Sequence, residues 1–176
     1  MPVAPELFIK GMRQLAAGVT LITTTHEGRR GGLTATAVCS LSAEPPQLLV
    51  CINRRLETHA MVEGSGIFAV NLLASDQRPL AEAFGGSSST FGERRFEGES
   101  WTTLVTGSPV LASCLASFDC RVAETLPSST HTIFIGLVEA VMIESHREPL
   151  VYVEGDYGLI APLMLQLPEA EAGPAW

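Results

Sequence analysis

Ala116-Ser117-Phe118-Asp119-Cys120-Arg121-Val122-Ala123 sets apolar against polar side chains residue by residue. A period of two is the signature of a strand with one face on a core. Downstream, Thr132 to Ile143 is apolar on both faces, as a strand covered by a helix or by another subunit would be. Upstream, Ile67 to Leu73 and Leu48 to Ile52 are further apolar strand segments, the latter set off by Pro45-Pro46. Val19 to Thr25 is rich in β-branched residues and ends in the turn-forming His26-Glu27-Gly28-Arg29-Arg30-Gly31-Gly32, after which Leu33 to Leu41 reads as the second arm of a hairpin. Leu150 to Val153 reads as the last strand.

Helical spacing is confined to short pieces. Phe8, Met12 and Leu15 give Leu7 to Ala16 an apolar stripe, and Thr58 to Glu63 suits a short helix. Ser75 or Asp76 can cap a helix running through Leu80, Ala83 and Phe84. Six or seven strands with two or three such helices, not alternating regularly, argue against a parallel Rossmann sheet. They predict a mainly β domain, an antiparallel barrel or sandwich with helices at its edges. Gly85 to Ser100 reads as one long loop, a length more often functional than idle.

The chain has 176 residues, about one domain's length. Nineteen acidic residues against eleven basic give a formal charge of −8, the wrong sign for tracking phosphates, so nucleic acid is not an expected partner. Cys39, Cys51, Cys114 and Cys120 show no metal or redox spacing and mostly lie in apolar runs, where buried reduced thiols are expected. The N-terminus lacks a secretory pattern and no stretch is long enough to span a bilayer, so a soluble cytoplasmic protein with no membrane partner is expected. Reactive side chains are scarce: four His, four Cys and a single Lys, Lys10.

Motifs that would name a chemistry fail on context. Gly64-Ser65-Gly66-Ile67-Phe68-Ala69 fits the letters of a dinucleotide fingerprint, but its glycines open a strand where the pyrophosphate needs a helix N-terminus. Walker, His-Glu-x-x-His and Gly-x-Ser-x-Gly patterns are missing, and His26, His59, His131 and His146 are too scattered for local zinc spacing, so no metal is expected.

Three stretches could serve a large prosthetic group. Gly32 to Ser40 is built of small and hydroxyl residues, which let a planar ring lie against a strand; an ordinary Thr-rich strand looks the same. Asn53, Arg54 and Thr58 stand between a strand and a short helix, where donors suit a phosphate, although surface arginines on a connection read alike. His131 enters an apolar strand after Pro127-Ser128-Ser129-Thr130, where a structural histidine is the plain alternative.

In order along the chain, Gly32-Leu33-Thr34-Ala35, Ser40 to Pro46, Val50 to Arg54, Phe68 to Leu73, Arg94-Arg95-Phe96, Gly107 to Leu111, Phe118 to Val122, His131 to Val138, Pro149 to Tyr152 and Tyr157 together resemble the short-chain flavin reductase family. This family comprises the reductase components of two-component flavin-dependent monooxygenases. The resemblance spans roughly residues 8 to 158. It implies an FMN-binding split β-barrel, Greek-key and antiparallel, over residues 1–161, leaving 162–176 as a loosely packed or disordered tail. It also implies a homodimer with flavin near the subunit interface. The implied activity is NAD(P)H:flavin oxidoreduction with FMN or FAD and NADH or NADPH, with reduced flavin reaching a monooxygenase by diffusion. Reduction of another acceptor (a corrinoid or a ferric chelate) and non-catalytic flavin or haem binding stand as alternatives.

By the same resemblance, Thr34, Ala35, Thr36 and Ala37 line the isoalloxazine, and Ser40 contacts it. Asn53, Arg54 and Thr58 approach the ribityl phosphate. Phe91, Arg94 and Phe96 lie in a loop that closes over the cofactor, and Tyr157 lies near the nicotinamide pocket. His131 matches the family histidine associated with nicotinamide. Many members carry Asp before it, where this chain has Thr130, and a hydroxyl orients an imidazole less firmly than a carboxylate.

Overall fold

A computed structural model describes residues 2–86, 92–144 and 147–160. Helix α1 (Pro5–Met12) leads into β1 (Ala17–Gly18), β2 (Thr20–His26), β3 (Arg29–Ala35), β4 (Val38–Ala43) and β5 (Pro46–Asn53). Helix α2 (Glu57–Ser65) is followed by β6 (Ile67–Leu72), a 3-10 turn (Ser75–Gln77) and α3 (Arg78–Phe84). A second 3-10 turn (Gly92–Phe96) precedes β7 (Trp101–Thr103), β8 (Pro109–Leu111), β9 (Ala116–Ser128), β10 (His131–Ile143), β11 (Val151–Val153) and β12 (Asp156–Gly158).

Seven strands form one antiparallel sheet in the order β3-β2-β6-β9-β10-β5-β4. Its edge strands, β3 and β4, are consecutive in the chain and separated only by Thr36-Ala37. The sheet therefore curls until its edges nearly meet, which makes a split barrel. Directly after the crossing, the Cys51 N–H on β5 donates to the Ala37 carbonyl at 3.1 Å, one rung beyond the Val38–Val50 pair of the β4–β5 ladder. That crossing corrects the expected strand from Leu33 to Leu41: the run breaks at Thr36-Ala37 because the chain passes there from one edge of the barrel to the other.

Side-chain alternation builds two cores from the same strands. Ile22, Val50, Ile52, Phe68, Val70, Cys120 and Phe134 fill the barrel. Leu21, Leu73, Leu80, Phe84, Phe96, Leu111 and Leu150 form the second cluster, with α3 among its elements. Each of these larger side chains is worth about 1.5–3 kcal/mol on burial. Gly136 on β10 makes room for the barrel core, since a Cβ there would lie 2.5 Å from Phe68 Cζ and 2.9 Å from Cys120 Cβ.

Other expectations shift in detail. The first helix begins at Pro5 and stops at Met12, and none of its residues is buried. The segment Gly85 to Ser100, read as one loop, contains the Gly92–Phe96 turn. A strand beyond Val153 was not foreseen, because β12 is three residues long. Asp76 pairs with Arg147, and the Gln77 carboxamide oxygen accepts the Ala74 N–H at 2.8 Å in the capping place. Cys114 and Cys120 are buried, whereas Cys39 is exposed and Cys51 intermediate, because Cys51 alternates with the core residues Val50 and Ile52 and Cys39 pairs with Leu49, on the face away from the core. No helix among the described residues is long and apolar enough to cross a membrane. The tail, 162–176, lies outside the described residues.

Candidate active site

The site grows from β3. Gly32 lies directly under α3: a Cβ at this position would meet Phe84 Cε1 at 2.7 Å and the Ile22 carbonyl at 3.1 Å, so only glycine lets the helix come this close. The Gly32 carbonyl accepts two donors, the Thr58 hydroxyl and the Arg95 guanidinium, each at 3.0 Å. Two residues on, the Thr34 hydroxyl donates to the Ala81 carbonyl at 2.6 Å and ties β3 to α3. The Thr20 hydroxyl donates to the Ala35 carbonyl at 2.8 Å.

Beyond this pinned stretch lie exposed Thr36 and Ala37, whose N–H groups have no hydrogen-bond partner among the described residues. A cavity of about 270 Å³ opens here, lined by Val19, Thr34, Ala35, Thr36, Gly85, Tyr152 and Tyr157. Its far wall is the β11–β12 hairpin, where Tyr152 and Tyr157 stand edge to face with centroids 5.3 Å apart. Arg78 of α3 lies over the Tyr157 ring at 5.2 Å, donates to Glu82 at 2.8 Å and reaches Asp156 at 3.4 Å. Burial raises the Tyr157 phenol above its ordinary value, with nearby Glu82 adding to the effect, so it is a proton-bearing donor at neutral pH. Helix α3 thus holds both walls, one through Thr34 and the other through Arg78.

A second cavity, about 620 Å³ and mostly apolar, shares Thr36 with the first and includes Leu15, Ser40, Leu72, Phe118 and Val141. Ser40 faces this larger space.

At the end of β5, Asn53 stands opposite His131 in register. The Arg54 N–H donates to the Thr130 carbonyl at 3.0 Å, and its guanidinium bonds the Ser129 carbonyl. The Asn53 side-chain oxygen accepts the Arg55 N–H at 3.0 Å. Exposed His131 has its Nδ1 2.8 Å from the Thr130 hydroxyl. Asn53 is two residues past Cys51, whose N–H meets Ala37, so this cluster lies about 7 Å further along the same edge.

The structure brings Thr34, Ala35, Thr36 and Tyr157 around one cavity, and Asn53, Arg54 and His131 around one strand end. Other residues expected at the cofactor are placed elsewhere. Thr58 is only 4% exposed, and its hydroxyl is spent on Gly32. Phe96 is a core residue, 3% exposed, between Phe84, Trp101 and the Arg30 guanidinium. Arg94 is exposed and lines a surface groove against Pro79, Leu80 and Ala83 of α3. Phe91 lies outside the described residues.

Arg95, the neighbour of Arg94 that sequence reasoning passed over, lies by β3 instead, over the Phe84 ring at 5.1 Å and bonded to Gly32. Burial lowers its pKa from the ordinary arginine value. The only signal for it in the sequence was a second arginine beside Phe96.

The family model described as the flavin reductase like domain matches residues 12–161. The chain belongs to this family. As a flavin reductase-like protein it is 38% identical over 175 residues, 98% of this chain and 92% of the other, to a protein of Bradyrhizobium diazoefficiens named FMN reductase (NADH) RutF. It is 43% identical over 156 residues, 89% of this chain and 88% of the other, to the protein of the same name in Stutzerimonas stutzeri. Among solved structures, flavin reductase PheA2 superposes with TM-score 0.83 at 32% identity, over 91% of this chain and all of that one. BorF, the flavin reductase component of a bacterial two-component tryptophan halogenase, gives TM-score 0.83 at 26% identity, over 90% of this chain and 99% of that one. The split barrel described above is the fold of these flavin reductases, and the chain is an oxidoreductase of the same kind.

Proposed function

We propose that this flavin reductase uses NADH to reduce FMN and releases the reduced flavin to a partner monooxygenase. The observation that carries the reading is the pinned strand Gly32–Ala35 ending in two free N–H groups beside a cavity walled by Tyr152 and Tyr157. The preference for FMN and NADH follows the names of the curated relatives. Transfer to a monooxygenase is supported by likeness to another solved protein, nitrilotriacetate monooxygenase component B of Mycobacterium thermoresistibile.

The residues present suit a flavin. Unpartnered N–H donors at Thr36 and Ala37 match the acceptor-rich pyrimidine edge of an isoalloxazine, and the small Ala35 leaves the strand open to a flat ring. When bound, flavin supplies the two-electron acceptor for hydride, chemistry that needs no strong acid or nucleophile from the protein. Thr36 and Ala37 aim fixed dipoles at the edge that gains negative charge. Thr34 and Gly32 hold that edge still through α3, α2 and Arg95. Tyr152 and Tyr157 wall the cavity against water. Asn53 and Arg54 stand where the polar chain of the flavin would leave the cavity, and His131 receives the nicotinamide. His131→Ala raises the KM for NADH more than that for FMN; an equal or reversed effect overturns the assignment.

A homodimer is part of the same reading. The apolar cavity of about 620 Å³ and the uncovered faces of Leu7, Phe8 and Leu15 support a second copy packing there, next to Thr36. Four free cysteines support a reducing, cytoplasmic setting. Residues 1–161 are taken as the reductase domain. The test is NADH oxidation by the purified protein with and without FMN.

A further inference from the structure

Consecutive residues of α2 hold the two halves of the site. Thr58 reaches Gly32 on the flavin strand, while His59, 6% exposed, has its Nε2 2.8 Å from the hydroxyl of Thr132, itself 3% exposed. The His59 ring also stands edge-on to Phe134, centroids 5.3 Å apart. No motif gave His59 a task, and none of the mechanism above uses it.

Thr132 is the residue after His131. Neighbours on an extended strand point to opposite faces, so Thr132 turns inward to α2 while His131 turns out to solvent. Two more bonds hold this strand end, both from Arg54, just before α2: its N–H to Thr130 and its guanidinium to Ser129. His59 is the buried member of the bracket and the one that reaches the strand itself.

We propose that His59 is a positioning residue for the nicotinamide side of the site: through Thr132 it fixes how β10 presents His131. Because Thr58 holds Gly32 from the same helical turn, α2 sets the spacing between His131 and the flavin strand. The inference rests on the role given to His131 above.

The test uses the full-length protein. NADH and FMN are varied separately in steady state, FMN dissociation constants are taken from fluorescence quenching, and melting is followed for each variant. His59→Phe keeps a ring and removes the nitrogen; His59→Gln keeps a polar group of similar reach; Thr132→Val removes the other partner. His59→Phe raises the KM for NADH by about threefold to tenfold, the worth of one net hydrogen bond, and leaves the FMN dissociation constant within about twofold. His59→Gln recovers most of the loss. Thr132→Val matches His59→Phe, and the double variant is no worse than either single, as expected when both remove one interaction.

Parallel loss of NADH and FMN affinity, additive singles, a glutamine as poor as phenylalanine, or an unchanged KM in a folded Thr132→Val (which decides the matter where His59→Phe does not fold) would each overturn the proposal. His131→Ala run alongside separates the two readings. If it leaves the KM for NADH unchanged, the role of His131 fails; if it raises that KM and His59→Phe does not, only the positioning role fails.

Discussion

Thr58 and Arg95 share one acceptor, the Gly32 carbonyl, from two separate elements: one from the first turn of α2, the other from the 3-10 turn that follows α3. Strand β3 is thereby fixed two residues before it opens into the cavity. Thr58→Val keeps the shape and removes the buried hydroxyl, so stability falls by about 1 kcal/mol. FMN binding weakens with it, because Gly32 is then held by Arg95 alone. Urea unfolding and flavin fluorescence quenching check both, and unchanged FMN affinity would remove Gly32 from the cradle.

Ala35 lines the cavity of about 270 Å³ with a single methyl group. Leucine there fills space a flat ring needs, so Ala35→Leu lowers FMN-dependent NADH oxidation by at least about tenfold, a barrier increase near 1.4 kcal/mol. Circular dichroism should show the fold kept. Wild-type turnover in a folded variant would contradict this placement of the ring.

Gly136 tests the barrel rather than the site. Its missing side chain leaves room on β10 for Phe68 and Cys120, register partners on β6 and β9. Gly136→Ala overpacks that contact and destabilises by about 1–3 kcal/mol, read as a lower urea midpoint with an unchanged slope.

Alkaline pH probes the same core. Burial pushes the Cys120 thiol up to about 12 from an ordinary 9.0, with Asp119 and Glu139 adding to it. The folded protein keeps this proton after the unfolded chain begins to lose it. The contribution is whole below pH 9 and shrinks as pH rises from there toward 12, by up to about 1.4 kcal/mol per pH unit. Unfolding of wild type and Cys120→Ala between pH 8 and 10.5 should show a shallower decline in the variant; parallel curves would contradict the assignment.

What was legible in the sequence was what alternation encodes. Ala116 to Ala123 reads as a strand because each face meets a different surrounding, and it lies in the sheet within β9; Thr132 to Ile143, apolar on both faces in sequence, lies in β10, where burial alternates from His131 to Leu137. The break at Thr36-Ala37 was hidden, since Thr-Ala-Thr-Ala continues a strand pattern. What ends the strand is a change of partner: up to Ala35 the chain pairs with β2, and from Ala37 on it pairs with β5. In the site, Thr34 to Thr36, singled out in the sequence as small and hydroxyl residues, line a cavity. Proximity to a helix start could not tell that Thr58 points inward, nor could adjacency tell exposed Arg94 from Arg95, which lines the same surface groove but also donates to Gly32 on β3. Direction is a property of packing, and it is the part the letters do not carry.

A barrel edge pinned at Gly32 and open at Thr36-Ala37 is what serves hydride transfer from NADH to FMN in this reading. The most direct measurement mixes purified protein with NADH and follows absorbance at 340 nm as FMN is titrated in without oxygen. No NADH loss is expected without FMN, saturable loss with it, and bleaching of the flavin in equal amount. A preparation that binds FMN yet leaves NADH and flavin unchanged would contradict it.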